Sequence, residues 1–302
     1  MTIMVLIDYI RILRPANCAM ASAGVLAGGF LVLKSASPQV FLAMLAAFLI
    51  TGAGNAINDW ADVESDRINK PKRPIPSGRV SRSSILLYSC VLFLAGIAIT
   101  LPAMGFGSWH LFAIALINSA VLIAYSCGLE DKLFAGNLSI SYLVASSFIF
   151  GGAAAGNILV PLLMAVLAFL SNTAREIVKD LEDVEGDKAS FLKNISLKAR
   201  KTAERFSKCK GGIKMKVGEN RLAVTAGLFL MMSIAFSPLP YVMKIMGFNY
   251  LVLLIPADLF FLWALHGLAK SGNKKRQFAS ISKKIKFGML FGLIAFMAGA
   301  AV

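Results

Sequence analysis

Nine stretches of this chain, each about 20 residues long, carry almost no charge, and that repetition limits the fold more than any single motif. About 20 apolar residues in a helix span the hydrocarbon core of a bilayer. The stretches lie near 16–34, 38–58, 84–104, 108–127, 136–154, 157–177, 221–240, 246–268 and 285–302. Only 16% of the 302 residues are charged, whereas 57% are hydrophobic. A soluble domain carries roughly a quarter charged residues, so the surplus apolar surface calls for lipid as solvent. The expected fold class is an all-α integral membrane protein with nine transmembrane helices in a bundle, forming a single transmembrane domain over 1–302. Asp8, Arg11 and Arg14 interrupt the place where a cleavable signal needs an apolar core, so the first span is expected to stay. Small residues recur in Ala19–Gly29, Gly52–Gly54 and Gly151–Gly156, where helices can approach closely.

Cytosolic loops are enriched in lysine and arginine. With the N-terminus inside, 29 of the 31 basic residues fall on the cytosolic side and only Lys34 and Lys244 fall outside. Nine spans then put the C-terminus outside, in a multi-pass protein of the cell membrane. The net charge of +15 reads as a cytosolic face held against anionic lipid. Nucleic-acid binding fits poorly, because the basic residues sit in loops that alternate with spans. The segment from about 188 to 220 is the main soluble piece, and its basic residues with Ile195, Leu197 and Phe206 suit an amphipathic surface helix or a solvated loop equally. Cys18, Cys90, Cys127 and Cys209 show no ligand spacing and read as small packing residues, and His110 and His266 are too few for histidine chemistry.

The acids are distributed quite differently. Ten of the 16 lie in Asp59–Asp66 and Glu176–Asp187, each directly after an apolar span. Asp59-Trp-Ala-Asp62-Val-Glu-Ser-Asp66 and Asp180-Leu-Glu-Asp183-Val-Glu-Gly-Asp187 agree at five of eight positions. This pseudo-repeat suggests two halves of the bundle facing one cavity. Asn58, Asp62 and Asp66 are spaced four and four, and Asp180, Asp183 and Asp187 three and four, so each set forms one stripe on a continuing helix. Like charges so spaced repel unless a cation lies between them. Oxygen-only donors select a hard cation such as Mg²⁺, which commonly joins carboxylates to substrate phosphates. Two such stripes at the cytosolic face point to a di- or trinuclear Mg²⁺ site gripping a diphosphate. Taken singly, each acid reads as an ordinary solvated helix end; the repeat argues otherwise.

Basic residues accompany the first stripe. In Arg67-Ile-Asn69-Lys70-Pro71-Lys72-Arg73-Pro74-Ile-Pro76-Ser-Gly78-Arg79, three prolines and a glycine predict an extended, turning loop that cannot be helical. A rigid, positive loop of this kind suits closure over a phosphate; the positive-inside tendency explains its charge but not its prolines. Arg14, before Pro15, either anchors at the interface or reaches a phosphate. Arg175 and Lys179 either do the same or balance neighbouring carboxylates. Asp258, inside the eighth span, is either functional or satisfies a backbone kinked at Pro256.

The motifs Asn58-Asp59-x-x-Asp62-x-x-x-Asp66, Asn69-x-Pro71-x-Arg73-Pro74-Ile-Pro76-Ser-Gly78 and Asp183-x-x-x-Asp187 resemble those of the UbiA-type intramembrane prenyltransferase superfamily. Within it, Leu13-Arg14-Pro15-x-Asn17-Cys18, Gly136-Asn137 and the Arg175–Asp187 stretch look like the archaeal digeranylgeranylglyceryl phosphate synthases. The resemblance covers spans one to six. It implies Mg²⁺ on Asn58, Asp62, Asp66, Asp183 and Asp187, and a diphosphate met by Arg14, Asn17, Arg67, Asn69, Lys70, Arg73, Lys132 and Lys179. Asp59 and Asp180 are the implied catalytic residues, either supporting the ligands or taking the acceptor's proton. The implied partners are a prenyl diphosphate donor, a lipophilic acceptor and the bilayer. Two departures stand out. The lysine usual four or five residues after the tyrosine closing span four is missing after Tyr125, so either Lys132 replaces it or that contact is absent. The stretch after Asp187 is also longer and more basic than the family's usual one. Aromatic prenyl transfer, a CDP-alcohol phosphotransferase and a cation-coupled transporter are the rival readings.

Overall fold

The computed structural model describes residues 2–35, 37–103, 109–130, 132–193, 219–270 and 275–300, without the side chains of 2–5, 133, 183–193, 219, 275–276 and 300. The described chain is helical, with no strand among those residues. The helices are α1 (Thr2–Leu13), α2 (Pro15–Leu33), α3 (Pro38–Ala61), α4 (Val63–Asn69), α5 (Arg82–Ala103), α6 (Trp109–Ala124) and α7 (Leu133–Ala154). They continue with α8 (Leu159–Lys193), α9 (Glu219–Phe236), α10 (Leu239–Val242), α11 (Phe248–Lys270) and α12 (Lys275–Ala300).

Eight helical stretches among the described residues are long and apolar enough to cross a membrane, from Pro15–Leu33 to Phe248–Lys270. They match the first eight expected spans. The ninth falls in α12, whose Lys283, Lys284 and Lys286 shorten its uncharged part and keep it out of that set. The sixth span runs on as helix to Lys193, so the segment carrying Asp180, Asp183 and Asp187 is helical as the spacing predicts. The rest of the expected basic segment, 194–218, lies outside the described residues, as does Cys209.

The chain gathers into two compact units, Met1–Leu129 with Leu143–Ala165, and Glu130–Tyr142 with Val166–Val302. In the first unit, α5 shows how a membrane helix sorts its faces. Leu87, Val91 and Leu94 point outward, while Ile85, Leu92 and Phe93 are buried. With apolar residues on both faces, only the inner face carries small and polar contacts. Ser89 Oγ donates to the Ala53 carbonyl at 3.0 Å, and Gly96 leaves room for Ile50. Gly28 and Gly151 lie against the backbones of Phe148 and Val25, so a methyl group at either would force α2 and α7 apart. A second core of Ile12, Ala56, Val63, Ile75, Val80 and Ile85 joins α1 to the loop after α4. Gly156, at φ 87°, makes the tight turn between α7 and α8.

The second unit packs Ala174, Ile177, Val178 and Leu181 of α8 with Leu222 and Leu230 of α9, Phe261 of α11 and Ile281 of α12. Asp258 accepts a hydrogen bond from Ser237 Oγ at 2.9 Å, and Tyr250 donates to the Ser237 carbonyl at 2.5 Å. Its bond therefore ties α11 to the end of α9 rather than repairing the backbone at Pro256.

Candidate functional site

The first acidic cluster is a network of acids and guanidiniums. Pro15 disfavours right-handed helix at the residue before it, and Arg14 adopts φ 53°, ψ 69° between α1 and α2. From there its guanidinium bonds to Asp59 Oδ1, and Arg73 NH1 reaches the same oxygen at 3.1 Å. Arg73 NH1 also donates to Asp66 Oδ2 at 2.5 Å, and Lys70 Nζ lies 4.0 Å from Asp66 Oδ1. Asp59 and Asp66 are 6% and 4% exposed, and carboxyl groups so buried need such partners.

The loop that delivers Arg73 is a succession of turns. Arg73 N donates to the Lys70 carbonyl at 3.0 Å, Ser77 N to Arg73 at 3.0 Å and Gly78 N to Ile75 at 3.0 Å. Ile75 and Val80 are buried and pin it to the core. Gly78, at φ 75°, turns the chain so that Arg79 Nε meets Asp8 Oδ2 at 2.7 Å. Arg79 NH2 bonds Asp8 Oδ1 at 3.3 Å and the Lys72 carbonyl at 3.1 Å. Arg11, Arg14, Asn69, Lys70, Lys72, Arg73 and Arg79 line a cavity of about 600 Å³ in which Asp59 is the sole acid.

On the stripe expected to hold metal, Asn58 Nδ2 donates to Asp62 Oδ2 at 3.3 Å. The helix breaks at Asp62 (φ −77°, ψ 1°), yet Asp62 N to Asn58 O (2.9 Å) and Asp66 N to Asp62 O (2.8 Å) keep the four-residue register. The expected stripe of Asn58, Asp62 and Asp66 thus survives, with Asp66 engaged by Arg73 and Lys70. No group of three or more His, Cys, Asp or Glu side chains is gathered for a metal among the described residues. The donors on the stripe are nonetheless all oxygens, a set that suits Mg²⁺. Asp183 and Asp187 lie on α8, and their side chains fall outside the described residues.

The second cluster is held differently. Asp180, buried on α8, accepts from Asn137 Nδ2 at 2.7 Å, and Asn137 is steadied where Ser141 Oγ donates to its carbonyl at 2.7 Å. Asn172 Nδ2 bonds Ser141 Oγ at 3.2 Å. Arg175 and Lys179 both turn to Glu176, at 2.8 and 2.7 Å, so the balancing arrangement is the one observed.

Three further expected contacts stand apart from the cavity. Arg67 pairs with Glu64 at 3.0 Å on an exposed helix face, while Asn17 and Lys132 are exposed and do not line it. Conversely, the sequence does not single out Asp8 and Arg11, or Lys72 and Arg79 individually within the basic loop. An acid in a short amphipathic helix and three cations flanking Arg14 and Arg73 were the available signal.

Comparison with known proteins places this geometry. The description "UbiA prenyltransferase family" matches residues 18–294. The chain belongs to that family. It is 38% identical over 295 residues to the digeranylgeranylglyceryl phosphate synthase of Methanococcus aeolicus, covering 97% of each chain. A solved chain described as digeranylgeranylglyceryl phosphate synthase in membranes superposes with a TM-score of 0.79 at 32% identity, over 98% of this chain and 99% of that one. A UbiA homologue from Archaeoglobus fulgidus, solved bound to GPP and Mg²⁺, shares the fold at 17% identity and a TM-score of 0.64, over 96% of this chain and 99% of that one. The protein is thus a multi-pass membrane protein of a prenyltransferase family.

Proposed function

We propose that this enzyme transfers a geranylgeranyl group from its diphosphate to the free hydroxyl of geranylgeranylglyceryl phosphate, as in archaeal ether-lipid synthesis. The observation that carries the acceptor is the near-full-length likeness to digeranylgeranylglyceryl phosphate synthases, at 38% identity. What carries the donor is the oxygen stripe of Asn58, Asp62 and Asp66 with Arg73 and Lys70 beside Asp66.

In this reading Asn58, Asp62, Asp66, Asp183 and Asp187 would hold Mg²⁺, which would supply positive charge to the leaving diphosphate. Arg14, Arg73 and Lys70 add donors for the same group, with Asn17, Arg67, Asn69 and Lys132 as its outer contacts, while Lys179 stays on Glu176. The allylic C–O bond of the donor breaks, the acceptor oxygen bonds to carbon one, and the hydroxyl proton leaves to a carboxylate. We assign that proton to Asp180. Asp59, covered by two guanidiniums, serves to hold Arg14 and Arg73. The chain works as one transmembrane prenyltransferase domain of the cell membrane. Its N-terminus and site are cytosolic and its C-terminus outside, a reading supported by the one-sided placement of lysine and arginine.

Product analysis tests this reading. The full-length protein, in lipid with Mg²⁺ and geranylgeranyl diphosphate, is offered geranylgeranylglyceryl phosphate and aromatic quinone precursors together. The expected product is the diether phosphate; a prenylated aromatic ring as the main product overturns the assignment.

A further inference from the structure

We propose that the basic cavity beside the first acidic cluster seats the phosphate monoester of the acceptor, gripped by Arg11, Lys72 and Arg79. The inference rests on the acceptor reading above and adds where that acceptor's charge is held.

Two phosphorylated molecules must come together in this reaction. Each polyanion needs its own counter-charge, because both repel at short range in a site sheltered from water. The carboxylate stripe can serve the diphosphate only through metal. The cavity is built in the opposite sense. None of Asn58, Asp62 and Asp66 lines it, and its sole carboxylate, Asp59, is already taken by Arg14 and Arg73. It holds no free acid for a cation and a clear surplus of cations.

The three cations not committed to Asp59 or Asp66 are Arg11, Lys72 and Arg79. Arg79 is oriented in advance. Two of its nitrogens meet both oxygens of Asp8, which is 2% exposed, and one also meets the Lys72 carbonyl. These bonds use Nε and NH2, leaving the NH1 group to meet a phosphate, and Arg11 NH1 shares Asp8 at 3.5 Å. Asp8 acts as a positioning residue, through Arg79. The Lys72 ammonium makes no ion pair or hydrogen bond among the described residues and is exposed at the cavity wall. A volume of about 600 Å³ leaves room for the glycerol unit as well as the phosphate. Arg73, touching Asp59 and Asp66 with one nitrogen, stands at the border of the cavity and the stripe.

A functional-group cycle on the full-length enzyme tests this. KM and kcat are measured with geranylgeranylglyceryl phosphate and with the same ether alcohol lacking phosphate, for the native protein, Lys72→Ala and Arg79→Lys. Lys72→Ala is the cleaner variant, because its side chain gives up no observed bond. Each variant should raise KM for the phosphorylated acceptor about tenfold and leave donor KM within about twofold, as expected for one charge-assisted contact in a partly open site. Neither should weaken use of the phosphate-free alcohol further. Asp8→Asn should raise acceptor KM and leave donor KM within about twofold, because Asp8 holds both Arg79 and Arg11. A rise in donor KM instead gives the cavity to the diphosphate and overturns the proposal, as does simple additivity of losing Lys72 and losing the phosphate. An effect that vanishes when anionic lipid is replaced by phosphatidylcholine assigns the cavity to a lipid headgroup and also overturns it. If the native protein forms no ether with either acceptor, the functional reading itself falls; if it forms ether but the cycle is additive, only the cavity assignment does.

Discussion

The two acidic clusters are near-copies in sequence and unlike in their surroundings. Asp59 is met by two guanidiniums, whereas its counterpart Asp180 is met by the amide of Asn137. The cations beside the first cluster reach Asp59 and Asp66 and line a cavity; Arg175 and Lys179 beside the second turn to Glu176. A repeated motif therefore fixes the spacing of acids along a helix but not what those acids do. The neighbours decide that, and the neighbours come from elsewhere in the chain: Arg14 is 45 residues from Asp59, and Asn137 is 43 from Asp180.

The largest expected effect concerns what the clusters share. Asp62→Ala and Asp187→Ala should each lower Mg²⁺-dependent diphosphate release from geranylgeranyl diphosphate about 100-fold or more, the scale of lost metal stabilisation of a leaving group. Release left intact in both variants ends the metal assignment; intact release in Asp187→Ala alone confines the metal to the first cluster. A smaller effect should separate the counterparts. Asp59→Asn removes the charge opposite Arg14 and leaves Arg73 only Asp66, and should cost about 1–3 kcal/mol of stability in a thermal melt and raise donor KM. Asp180→Asn keeps an oxygen that can accept from Asn137, while kcat should fall about 100-fold as a proton acceptor is lost. The reverse pattern would exchange the two roles.

Much of this was legible in the chain. Apolar runs gave eight spans within a few residues, because length and absence of charge decide a membrane helix. Spacing gave the stripe Asn58–Asp62–Asp66, since backbone register outlives the break at Asp62. The partners were not legible. Nothing local in Asp8 announces Arg79, which lies 71 residues away, because burial of a charge is settled only when the fold supplies its mate. Lys70 and Lys179 look equivalent as lysines within four residues of an aspartate; only the fold shows that Lys179 reaches Glu176 instead.

Those two lysines give the finest test of the contrast. Lys70 Nζ lies 4.0 Å from the buried Asp66 and lines the basic cavity. Lys179 forms a pair with Glu176 on its own helix, with its side chain 44% exposed. Its partner Glu176 is buried, with a side chain only 11% exposed, so the ammonium is committed to that carboxylate. Lys179→Ala should therefore leave donor KM within about threefold of the native value, while Lys70→Ala should raise it about tenfold by removing a charge-assisted contact to phosphate. Steady-state kinetics at two salt concentrations make the comparison sharper, because only a cation that meets the substrate carries salt-sensitive donor affinity with it. Equal losses in the two variants would mean that Lys179 leaves Glu176 for the diphosphate when substrate binds, and that the clusters are alike in function after all.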